Sequence, residues 1–145
     1  MTHEDAGHYA AKHPETTELN EKVAEQVKAK TVDGKITCGD AHKIANDLKI
    51  SSAEVGVTID LLEARIAKCR LGLFGHSPGK AVIKPAEQVH SEMQQAIEKA
   101  LVNGRLPCSA AWEISAELGK GKKEVAAVCE KLRIKICNCQ IGSFK

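Results

Sequence analysis

Six cysteines are the side chains best equipped to do chemistry in this sequence. Cys38 and Cys108 stand where helices are due to begin, and a helix N-terminus favours the thiolate, the form that attacks and binds metal. Cys69 and Cys139 fall on later extended stretches, and Cys137 shares a strand face with Cys139. A zinc or redox centre could be assembled from Cys108, Cys137 and Cys139. Against it, Cys137-Asn138-Cys139 has a single intervening residue where zinc motifs use roughly two to four, and no fourth ligand is well placed. Cysteine is also an ordinary small core residue, so packing is the expectation, with no metal and no cofactor. Cys129, which aligns with Ile59 when the chain is laid on itself, reads as core.

A second concentration is cationic. Gly119-Lys120-Gly121-Lys122-Lys123 gathers three lysines at the start of a helix, and Lys131 follows on that helix. Glycines there permit close approach to a phosphate, whose charge suits a helix N-terminus. A solvated lysine-rich turn accounts for the same residues equally well, because the whole chain carries only +2. Residues 89–145 hold nine Lys/Arg against six Asp/Glu, while residues 19–75 hold nine against eight. Nucleic acid, if it is bound, therefore meets the second half.

What must position these groups is a unit that occurs twice. Overlaying Asp33 to Gly75 on Asn103 to Lys145 needs no gap, and it matches Cys38 with Cys108, Ala41 with Ala111, Ile44 with Ile114, Val55 with Val125, Leu62 with Leu132 and Phe74 with Phe144. Matches at core positions, a cap and turn glycines mark a duplicated fold. In the first copy, Leu19, Val23 and Val27 repeat at helical spacing, then Ala41, Ile44, Ala45 and Leu48, then Val55, Ile59, Leu62 and Ile66. Ser51 and Glu54 form a capping box at the start of the third helix. Asp33-Gly34 and Asn103-Gly104 end the first helices with pairs suited to positive φ. Beyond the third helix, Ala67, Cys69, Leu71 and Leu73 alternate with Lys68 and Arg70 as a half-buried strand, and Ala81-Val82-Ile83 reads as its returning partner in a hairpin.

With 145 residues and 43% hydrophobic content the chain can fill two small cores, and at 3% aromatic those cores are aliphatic. Residues 1–18, with four acids, one lysine and the histidines His3, His8 and His13, read as a flexible tail; a five-residue spacing does not gather those histidines on one helix face. The expected division is this tail, a first module over 19–84 and a second over 85–145. No apolar run is long enough for a bilayer and no signal-peptide pattern opens the chain, so a cytoplasmic protein with reduced thiols is expected. Neither a phosphate-binding glycine loop, nor His-Glu-x-x-His, nor Gly-x-Ser-x-Gly occurs, which leaves no catalytic residue and no expectation of an enzyme.

The residues Thr37-Cys38, Ala41, Ile44-Ala45, Leu48, Ile50-Ser51, Glu54-Val55-Gly56 and Leu62-Glu63-Ala64-Arg65-Ile66 resemble the pattern of winged helix-turn-helix domains of prokaryotic transcriptional regulators. The resemblance implies a mainly α fold with short β-hairpins, made of two tandem winged modules; the second departs from the pattern, with a truncated wing expected at Lys145. It also implies that each third helix is the element that enters a DNA major groove. On the first third helix the positions facing away from the core are Ala53, Val57, Asp60, Leu61 and Ala64, too apolar to neutralise phosphates. Ala53, Val57, Leu61 and Ala64 are therefore expected to form an interface, against the second copy or in a homodimer. Lys120, Lys122, Lys123 and Lys131 are the expected contacts to double-stranded DNA. The rival expectation is a protein-interaction adaptor that keeps the fold without binding DNA, and neither reading involves a membrane.

Overall fold

The computed structural model describes residues 8–75 and 83–144, which contain six α-helices and two pairs of short strands. Helix α1 (Glu21–Lys30) is followed by β1 (Lys35–Thr37), α2 (Cys38–Leu48), α3 (Ser52–Leu61) and β2 (Arg65–Ala67). The order then recurs as α4 (Ser91–Ala100), β3 (Leu106–Pro107), α5 (Cys108–Leu118), α6 (Lys122–Lys131) and β4 (Ile136–Cys137). Corresponding helices start 70 residues apart, at Glu21 and Ser91, Cys38 and Cys108, Ser52 and Lys122. The chain is thus mainly helical, with its repeat expressed element by element.

Two compact units emerge, and their boundary departs from the expected one at 84/85. The first unit holds the described residues up to Cys69 together with Gln140–Phe144; the second holds those of Arg70–Cys139. Residues 70–75, which end the first repeat, therefore belong with the second unit, and 140–144, which end the second repeat, belong with the first. The core of the first unit is built from Val23 and Val27, Ala41 and Ile44, Val55 and Ile59, and the strand residues Ile36 and Ile66. Met93, Ile97, Ala111, Ile114, Val125, Cys129 and Leu106 do the same in the second. The helical members of both sets fall at the periodic positions of the sequence, so the aliphatic pattern locates the helices, though not their ends.

The strands differ from expectation. β1 pairs with β2 in parallel, Lys35 opposite Arg65 and Thr37 opposite Ala67, and β3 pairs with β4 in the same sense. The expected hairpins do not form among the described residues: the strand after α3 spans only Arg65–Ala67, and Ile83 lies outside any strand. Ala81 and Val82 lie outside the described residues. Lys68 adopts φ 50°, a left-handed conformation that breaks the alternating run before it can extend to Leu73. The Asp33-Gly34 and Asn103-Gly104 pairs do take positive φ, but as two-residue turns between the bridged residues Val32 and Lys35, and Val102 and Arg105.

Helix starts distinguish the two copies. Asn20, Thr37 and Ser51 each accept a backbone N–H at the head of α1, α2 and α3. His90, Pro107 and Gly121 occupy the corresponding places and supply no side-chain cap. Helix ends are alike. α3 stops in a Schellman motif, with Glu63 in the left-handed region at φ 54° and the Ala64 N–H bonded to the Ile59 carbonyl at 3.1 Å. α6 repeats it with Arg133 at φ 58° and an Ile134 N–H to Cys129 carbonyl bond of 2.9 Å. Among the described residues no helix is long and apolar enough to cross a membrane.

Candidate functional site

The four lysines expected to contact DNA do not form one patch. Lys120 and Lys123 are exposed at the α5–α6 turn, whereas Lys122 is half-buried with its ammonium 4.6 Å from the centroid of Trp112. The same place in the first unit holds His42 Nδ1 and Ser52 Oγ, 3.2 Å apart, so each unit ties its second helix to the head of its third. Trp112 thus packs under a cation at the head of α6. Lys131 is exposed at the far end of α6, eight residues and about 12 Å along the axis from Lys123. Lys120 also stands at the wall of a cavity of about 690 Å³ floored by Met93, Leu118 and Val128.

The face of α6 that holds Lys123 and Ala127 is partly occupied by the chain itself. The Ala86 N–H bonds to the Ala127 carbonyl at 3.0 Å, and Gly72 lies beside the aliphatic stem of Lys123. Acids Glu124 and Glu130 interleave with the lysines along the same helix.

On α3 the expected interface is corrected in part. Ala53 is exposed and Val57 and Leu61 are half-buried, but Ala64 is buried at 4% exposure. Helical spacing continued past Leu61 would put Ala64 outward, but α3 ends at Leu61 and the Schellman turn redirects Ala64 inward. Asp60, expected to face out, is only 2% exposed.

What buries Asp60 is the segment expected to be a tail. Of that segment, residues 1–7, His3 among them, lie outside the described residues, but Tyr9–Lys12 forms a single 3₁₀ turn on α3 with Tyr9 buried. The Tyr9 and Ala10 N–H groups both donate to the Glu63 carboxylate at 2.8 Å, which caps the turn with a residue from 54 positions away. His13 Nε2 lies 2.7 Å and Lys12 Nζ 3.2 Å from Asp60 Oδ2, and Lys12 also donates to the Gly142 carbonyl at 3.0 Å. Lys12 thus fastens the N-terminal segment, α3 and the terminal residues of the first unit together. Tyr9, Lys12, His13, Asp60 and Glu63 were not legible as a group, because their contacts join residues far apart in sequence. The surviving signal was one aromatic residue among charged ones.

None of the six cysteines is disulfide-bonded. Parallel pairing sets Cys137 opposite Pro107, the residue before Cys108, whereas Cys69 and Cys139 lie beyond the ends of β2 and β4. Cys108 and Cys137 are buried and Cys139 half-buried, yet among the described residues no three His, Cys, Asp or Glu side chains group so as to hold a metal. Burial pushes the Cys129 thiol up to about 11, with the neighbouring Glu130 adding to the shift. The folded state therefore holds this proton more tightly than the unfolded chain, whose thiol has the ordinary value of 9.0. The corresponding stability is complete below that value and is lost as pH rises toward 11, at up to ~1.4 kcal/mol per pH unit. Iodoacetamide at neutral pH should label Cys139 first and Cys129 only with global unfolding; peptide mapping that found Cys129 labelled in the native protein would contradict its burial.

Neither a protein-family model, nor a curated protein, nor a solved structure matches this chain.

Proposed function

We propose that this chain is a protein-interaction adaptor that keeps a helix-turn-helix arrangement without reading a DNA groove. The observation that carries this reading is the partial occupation of both third helices by the chain's own segments. Tyr9–Lys12 and the close approach of Ile141 to Gly56 cover α3, while Gly72 and Ala86 sit against α6. A recognition helix must present polar side chains to base edges and cations to phosphates along one free face, and a helix against which its own chain packs has less of that face to offer. Acids along α6 and a net charge of +2 weaken phosphate neutralisation further.

One observation favours DNA as a second reading. The head of α6 lacks a side-chain cap at Gly121, and exposed Lys120 and Lys123 flank it. In that reading Lys120, Lys122, Lys123 and Lys131 bind the backbone of double-stranded DNA and the first module supplies the interface, as in a transcriptional regulator. Electrophoretic shift titrations of a mixed-sequence duplex at several salt concentrations separate the two. The adaptor should show no shift at moderate salt. A shift that weakens steeply with salt, and is lost in Lys120→Ala/Lys123→Ala, would establish the second reading instead.

A further inference from the structure

The duplication supplies a filled reference for a groove that the described residues leave open. In the first unit the 3₁₀ turn Tyr9–Lys12 lies on α3 at Asp60 and Glu63. Seventy residues on, Glu130 and Arg133 border a groove of about 430 Å³ on α6, together with Lys135. Its floor is Leu73, Ala126 and Ile134. Arg133 leaves α6 at φ 58° just as Glu63 leaves α3 at φ 54°, so the two rim residues are presented by the same backbone turn. An apolar floor below a polar rim is the form of a site for a short peptide anchored by one large side chain.

Rim chemistry then dictates what that peptide carries. Asp60 receives Lys12 and His13 at the far end of the turn, and its counterpart Glu130 is again an acid, now exposed. A basic residue at that end of the ligand is retained. At the near end, Glu63 accepts the Tyr9 and Ala10 N–H groups, but Arg133 can only donate. A ligand here needs an acid beside its aromatic residue, and a guanidinium binds a carboxylate with two parallel hydrogen bonds. The chain's own sequence at the same offset, Gly79-Lys80-Ala81-Val82, offers neither an aromatic residue nor an acid.

We propose that the α6 groove binds a partner protein through a one-turn peptide of the form acid, aromatic, two small residues, base. This deepens the adaptor reading and rests on it.

Fluorescence anisotropy with the full chain and a short labelled peptide centred on Asp-Tyr-Ala-Ala-Lys tests the inference. The wild-type chain should bind it, and Arg133→Glu, which copies the residue found at the equivalent turn, should bind about tenfold more weakly with helical circular dichroism unchanged. Lys135→Glu, at another exposed rim position, should weaken binding in the same direction. Replacing the peptide's Asp by Lys should reverse the preference, so that Arg133→Glu binds better than wild type. Absence of binding to the folded wild type, or equal binding by wild type and Arg133→Glu, would overturn the groove assignment. Neither result touches the broader adaptor reading, which the DNA titration decides separately.

Discussion

Gly56→Ala should destabilise the first unit by about 2–3 kcal/mol, although helix propensity alone favours alanine over glycine by about 1 kcal/mol. Gly56 is buried within α3, and a Cβ built on it would fall inside the Ile141 carbonyl, with the Ile141 Cα only 3.1 Å away. The obstacle is main chain, which cannot rotate aside as the tip of a side chain does. Relief requires residues 140–144 to lift off the helix, and with them the Lys12 bond to the Gly142 carbonyl. Chemical denaturation measures the loss, and amide exchange at 140–144 locates it. Ala126 provides the contrast: the second unit already carries a buried methyl at this place, so Ala126→Gly should lose stability by propensity and packing with no compensating relief. An increase in stability for Gly56→Ala would mean that the terminal segment does not pack there.

The helical framework was legible because burial and periodicity coincide. Val23 and Val27, Ile44, Val55 and Ile59 recur at helical spacing and all are core. The constant offset between copies was equally visible, since identical residues fall at caps and core positions. Two kinds of feature escaped. Glu63 and Arg133 occupy left-handed helix ends where glycine would announce the stop, so periodicity overruns the third helices and puts Ala64 on the wrong face. Long-range closure escaped as well: nothing local in Tyr9-Ala10-Ala11-Lys12 indicates Glu63, and nothing in Gly56 indicates Ile141. A comparison of the copies does hold the clue, because Gly56 faces Ala126 and Glu63 faces Arg133 across the repeat. Divergence at otherwise matching sites marks where the two units are covered differently.

The ion cluster under the N-terminal segment should respond asymmetrically to mutation. Asp60 is 2% exposed, and its Oδ1 has no hydrogen-bond partner among the described residues, so its charge depends on Lys12 and His13 at Oδ2. Those two partners keep 25% and 20% of their side-chain surface in solvent. Deleting the carboxylate as Asp60→Asn leaves partners that can turn toward water, and should cost no more than about 1 kcal/mol. Deleting both partners as Lys12→Ala/His13→Ala strands a buried carboxylate, a change worth about 3 kcal/mol or more. Each single substitution should cost less than half of the double, because either partner alone still faces Oδ2. The triple variant with Asp60→Asn should recover most of the loss, since it removes the stranded charge. Urea unfolding of the wild type and these five variants checks the series, and limited proteolysis near Tyr9 should report release of the segment in the double variant alone. Were Asp60→Asn as damaging as the double, the cluster would be held by hydrogen-bond geometry rather than by charge, and the buried carboxylate would not be what the N-terminal segment is there to satisfy.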